Sequence, residues 1–148
     1  MKSFTDSAAG IAAAVIAMAA IGAPAIAHHA FQAEFDGNQP IMLQGKVTKV
    51  EWINPHTWVH MDVVTNGTPQ EWMVEAGTPN TLLREGLTRD SLKVGTEIIV
   101  RGYRAKDARC RPACKANGRD VTFTDGRKVF MGSSGTGAPK DGADPNEK

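Results

Sequence analysis

The chain has 148 residues, 41% of them apolar, and its 17 Lys and Arg are almost balanced by 16 Asp and Glu. So even a charge gives no electrostatic hold on a nucleic-acid backbone or an anionic membrane surface, and neither partner is expected. Once an export signal is removed, about 120 residues remain, enough for one hydrophobic core and not two.

Met1 and Lys2 open the chain with positive charge, and an apolar run follows over residues 8–21. Gly22 and Pro24 interrupt it, and Ala25-Ile26-Ala27 places small residues where a signal peptidase reads. The run falls short of the about 20 apolar residues a membrane span needs, and no later stretch is longer. Residues 1–27 are therefore expected to be a cleaved signal peptide, and the mature chain is expected in the periplasm or medium with no membrane span.

A polar lead-in over residues 28–40 carries Phe31 and Phe35 as anchors. Residues 41–53 (IMLQGKVTKVEWI) are rich in β-branched side chains and predict a long strand, with Gly45 marking a bulge or bend inside it. Asn54-Pro55 predicts a turn, residues 57–64 a second strand, residues 66–69 a turn and residues 71–75 a third strand. Thr78 as cap, Pro79 at the first helical position and Gly86 as terminator then frame a helix with Leu82 and Leu83 toward the sheet. A turn over residues 92–95 leads into a fourth strand at 96–103. A cysteine loop follows, and then a fifth strand pair at 120–131 split by Asp125-Gly126. From Gly132 the chain is Gly, Ser, Pro and charge, which predicts a disordered tail over 132–148.

Three strands, a helix and two more strands make a mainly β chain: a small OB-like five-stranded barrel with one short helix, over residues 28–131. A small β-sandwich is the alternative. Cys110 and Cys114 are four apart, and outside the cytoplasm such a pair is expected to form a disulfide closing a small loop. The CxxxC spacing is neither the redox CxxC nor a repeated zinc knuckle, so a redox or metal role is the weaker reading.

Several segments together carry a resemblance: His28-His29-x-Phe31, Phe35-Asp36, Gly45-Lys46-Val47, Trp52-Ile53-Asn54-Pro55-His56, Trp72, Leu82-Leu83-x-x-Gly86, Gly95 and Gly102. The chain resembles the DUF6152 family of exported bacterial proteins of unknown function. The resemblance implies an OB-like fold and brings no activity or ligand, so function rests on the site.

All four histidines lie in two places, His28 with His29 and His56 with His60. Cleavage after Ala27 makes His28 the first residue, whose α-amine and ring nitrogen can chelate one ion. An imidazole from His56 or His60 then completes a T-shaped three-nitrogen set, as in a histidine brace, and such donors favour Cu(II) ahead of zinc. Cleavage after Ala25 instead leaves His28 at position three, where amine, two amides and imidazole form a square-planar copper or nickel site. On a regular strand His56 and His60 stand about 13 Å apart on one face with Trp58 and Asp62, too far to share an ion. Of the two, His56 is the expected ligand because it follows a turn, with His29 or His60 assisting.

Trp52, Trp58 and Trp72 are candidates for a ligand-stacking face, though packing roles compete for them. Met61 and Met73 are soft-ligand candidates, with Met61 on core parity. Asp36, Glu51 and Glu75 are possible metal oxygens or bases that nothing in the sequence pairs. No nucleophile elbow, phosphate loop or zinc-protease motif is present, so binding is expected rather than turnover. The leading expectation is an exported small β-barrel that binds copper. The alternative is a metal-free periplasmic interaction module whose aromatic face docks a protein or glycan.

Overall fold

β1 (Phe35–Glu51) is long enough to serve two neighbours in succession. The computed structural model describes residues 31–132 of the chain, so the expected signal peptide, His28, His29 and the tail beyond Gly132 lie outside the described residues. From Phe35 to Lys46, β1 pairs antiparallel with β4 (Glu97–Ala105), and from Gly45 to Glu51 it pairs antiparallel with β2 (Trp58–Thr65). Gly45 therefore belongs to both ladders at once. A methyl group there would meet the carbonyl oxygen of Asp62 at 2.0 Å, so only glycine allows the strand to cross between its partners. The expected bulge falls slightly later, as a register shift between Val47 and Lys49.

β2 turns through Asn66-Gly67, both at positive φ, into β3 (Thr68–Glu75), in the manner of a two-residue hairpin. The helix α1 (Pro79–Arg84) follows, and then a single 3-10 turn at Arg89–Leu92 before β4. Thr78 caps α1, its side chain accepting a hydrogen bond from the Thr81 amide, and Gly86 leaves the helix at φ 86. β5 (Cys114–Phe123) pairs antiparallel with β4 along one edge. On its other edge Cys114–Asn117 pairs parallel with Trp72–Glu75 of β3, and beyond that point the same edge takes β6 (Lys128–Phe130). The ring β1-β2-β3-β5-β4 is thereby closed, with α1 between its third and fourth strands, as an OB-type barrel requires.

Alternate residues fill the ring. Val47, Val59, Met61, Trp72, Val74, Ile98, Val100 and Val121 form one core, which Leu82, Leu87 and Leu92 of the β3–β4 connection join. Leu83 departs from expectation: it is 50% exposed, because a helix of six residues has one buried stripe and Leu82 occupies it. β1 also starts earlier than expected, at Phe35, and β5 starts at Cys114 rather than Asp120. The segment 114–120 looks like a loop because it is polar. It is nonetheless buried, and its polar groups find partners inside the fold: Arg119 Nε donates to Asp120 Oδ2 at 3.0 Å, and Asn117 Nδ2 donates to Glu75 Oε1 of β3 at 3.3 Å. Gly132, expected to open the tail, is buried, with its carbonyl packed against Gly77.

Candidate functional site on the outer face of the barrel

Strand alternation sends Val59 and Met61 of β2 into the core and leaves Trp58, His60 and Asp62 on the outer face. Side chains of directly paired residues rise on the same face, so the ladders line residues up across the barrel. One row runs Glu51, Trp58, Glu75, Asn117 and Tyr103, crossing β1, β2, β3, β5 and β4. The adjacent row is Lys49, His60, Met73 and Lys115. His56, in the loop that brings β1 into β2, reaches the first row through Glu75: its Nδ1 lies 3.6 Å from Glu75 Oε1.

The two histidines meet different surroundings. The His60 side chain is 8% exposed, its Nδ1 donates to Glu71 Oε1 at 3.2 Å, and its Nε2 lies 3.2 Å from Glu51 Oε1. His60 thus stands between a β3 carboxylate hydrogen-bonded to Nδ1 and a β1 carboxylate that Nε2 faces at ion-pair distance without a hydrogen bond. Glu51 also binds Lys49 Nζ at 2.5 Å, and that hydrogen bond holds its carboxyl below the ordinary range. The His56 side chain is 37% exposed while its Nδ1 is buried against Glu75, so Nε2 is the nitrogen left to take a ligand. Burial raises the Glu75 carboxyl, opposed by the imidazole of His56 and reinforced by the negative charge of Glu34. Asn117, 1% exposed, fixes Glu75 from the other side but leaves its own Oδ1 without a partner.

The three tryptophans do not form one surface. Trp72 is in the core, with the Arg104 guanidinium 5.6 Å from its ring centroid. Trp52 packs against the edge of the core and carries Arg89 at 5.8 Å. Only Trp58 stands in the outer row, and Lys115 Nζ lies 5.2 Å above it. Met61 is fully buried, whereas Met73 is half-buried beside His60. Asp36 is used locally, accepting from the Asn38 amide at 2.9 Å. Cys110 and Cys114 are joined as a disulfide. Among the described residues no three His, Cys, Asp or Glu side chains converge as a metal site, and no helix is long and apolar enough to cross a membrane.

Sequence alone left Glu51 and Glu75 unpaired and did not single out Glu71. Their partners arrive from other strands, and only the β1–β2 and β2–β3 registers bring them to the histidines.

The closed five-stranded ring, with a polar row over β2 and β3, makes the chain a small mainly β barrel. The chain belongs to DUF6152, a family of unknown function whose model matches residues 14–113. The matched span holds Glu51, His56, Trp58, His60, Glu71 and Glu75 and stops one residue before β5. No curated protein matches the sequence.

Proposed function

We propose that this is an exported copper-binding protein in which His28, as the first residue of the mature chain, and His56 share one ion. The observation that carries the reading is the His56–Glu75 pair. A ligating histidine commonly turns its second nitrogen to a carboxylate, and His56 faces Glu75 with Nδ1 at 3.6 Å, within ion-pair reach though beyond a hydrogen bond. The packing of Phe31 supports the reading as well. Phe31 packs edge-on to Tyr103 at 5.6 Å between centroids, and Tyr103 belongs to the row that contains Glu75. His28 lies three positions before Phe31, a reach of at most about 10 Å. His29 is the adjacent donor, while His60 stays committed to its carboxylates. Amine and imidazole nitrogens suit Cu(II) better than zinc, and the role is binding, delivery or sensing. The metal-free docking alternative has weaker support, since Trp72 is in the core and Trp58 lies beneath Lys115.

Copper titration of the mature protein, followed by electron paramagnetic resonance, tests the reading. One Cu(II) equivalent should bind with nitrogen hyperfine structure, and His56→Ala should weaken it by about tenfold or more, one lost ligand being worth at least 1.4 kcal/mol. An affinity no stronger than that of a free peptide with the same first residues would sink the proposal.

A further inference from the structure

The near-zero net charge conceals a segregated distribution. Five cations, Arg104, Lys106, Arg109, Arg111 and Lys115, fall within twelve residues that contain one acid, Asp107. This stretch is the β4–β5 connection with its two strand ends, and the Cys110–Cys114 disulfide closes a small ring in it. Cys114 is the first residue of β5, so the ring is bonded directly to the barrel wall. A cavity of about 630 Å³ lies at the ring, lined by Asp107, Arg109, Cys110, Arg111, Ala113 and Lys115. That volume is in the range of small-molecule sites, about 300–1,000 Å³.

Most of these cations are already engaged. Arg109 makes a two-pronged contact with Asp107, Nε to Oδ1 at 2.8 Å and Nη2 to Oδ2 at 2.7 Å, which holds the Asp107 carboxyl at about 2. Lys115 pairs with Glu34 at 2.7 Å. Arg104 lies over Trp72 with Nη2 3.7 Å from Cys110 Sγ, and Lys106 Nζ bonds the Gln32 carbonyl. Arg111 differs: it is exposed at the cavity wall and has no hydrogen bond or ion pair among the described residues. Asp107 and Glu34 thus offset Arg109 and Lys115, while Arg111 stands at the cavity wall with no acid and no other polar partner among the described residues.

We propose that the disulfide-closed β4–β5 loop is an oxyanion-binding site, in which Arg111 grips a phosphate or carboxylate group of a small ligand. A guanidinium offers parallel N–H donors that match the two oxygens of such a group, and it stays charged at every physiological pH. The Arg109–Asp107 pair and Lys115 line the same cavity, so Arg111 is the cation there that is free to take an anion. The disulfide fixes the loop before the ligand arrives, which lowers the ordering cost of binding. The site takes nothing from the copper reading, since it uses neither His28 nor His56.

Isothermal titration of the metal-free, disulfide-intact mature protein tests this, with inorganic phosphate and citrate as probes at constant ionic strength in chloride. Saturable binding of at least one probe is expected. Phosphate alone would indicate a phosphorylated ligand, and citrate alone a carboxylated one. Arg111→Gln should weaken binding by about tenfold or more, as loss of a charge-assisted pair requires. Arg89→Gln, in a cation over Trp52 outside the cavity, and His56→Ala should leave it unchanged. Absence of saturable binding to either probe, or an Arg111→Gln variant that binds like the wild type, overturns the proposal.

Discussion

Glu75 is a carboxyl with little access to water, in contact with Asn117 and His56. Burial raises its pKa in the folded state, so the unfolded chain ionises first as pH rises through the ordinary carboxyl value of 4.5. The folded state then binds more protons than the unfolded one, and stability falls with rising pH until Glu75 itself ionises, after which this contribution is constant. Glu75→Gln removes the effect while keeping the shape. In metal-free protein, the urea midpoint of wild type should therefore drift downward relative to Glu75→Gln between pH 4 and pH 7. A difference that stays constant with pH would show that Glu75 ionises as freely folded as unfolded. His60 is the opposite kind of residue, a buried imidazole with both nitrogens facing acids. The parity that places Trp58 and His60 on one face can be read in the sequence, and so can the turn that carries His56. The acids that distinguish the two histidines cannot, because Glu51, Glu71 and Glu75 meet them only through strand register.

At the scale of elements, α1 was legible because its signals are local: Thr78, Pro79 and Gly86 each act on their own backbone. Leu83 was not, since its exposure depends on how a short helix rolls against the barrel. Leu82→Ala should cost about 2–5 kcal/mol, Leu83→Ala less than about 0.5, and Thr78→Ala about 1, measured by urea denaturation. Equal costs for the two leucines would contradict the burial described. β5 escaped the sequence in its first half for a related reason. Asn117, Arg119 and Asp120 read as loop residues, and their burial is tolerable only because each meets a polar partner in the fold. At the head of β5, the Cys110–Cys114 bond spans a sequence separation of 4, and chain entropy gives so small a loop about 2 kcal/mol. Replacing both cysteines by serine should lower stability by about that amount and leave the far-UV circular dichroism of the barrel intact. Global unfolding would mean that the ring holds far more than its own loop.

Over the whole molecule, the order of strands and helix was enough to predict the ring, since strand-strand-strand-helix-strand-strand leaves few ways to close a barrel. The separation of charge was not visible in the net value. Glu51, Glu71, Glu75, His56 and His60 come together over β1–β3, whereas Arg104, Lys106, Arg109 and Arg111 cluster at the β4–β5 loop. The fold thus presents two chemically distinct surfaces, joined where Lys115 covers Trp58. The copper reading depends on which residue begins the mature chain. The most direct measurement is therefore the intact mass of the exported protein, purified without chelator, under denaturing and then native conditions. The account predicts a denatured mass for a chain that starts at His28 with its disulfide closed, and a native mass heavier by one copper. A chain that starts elsewhere and stays empty when copper is supplied would contradict it.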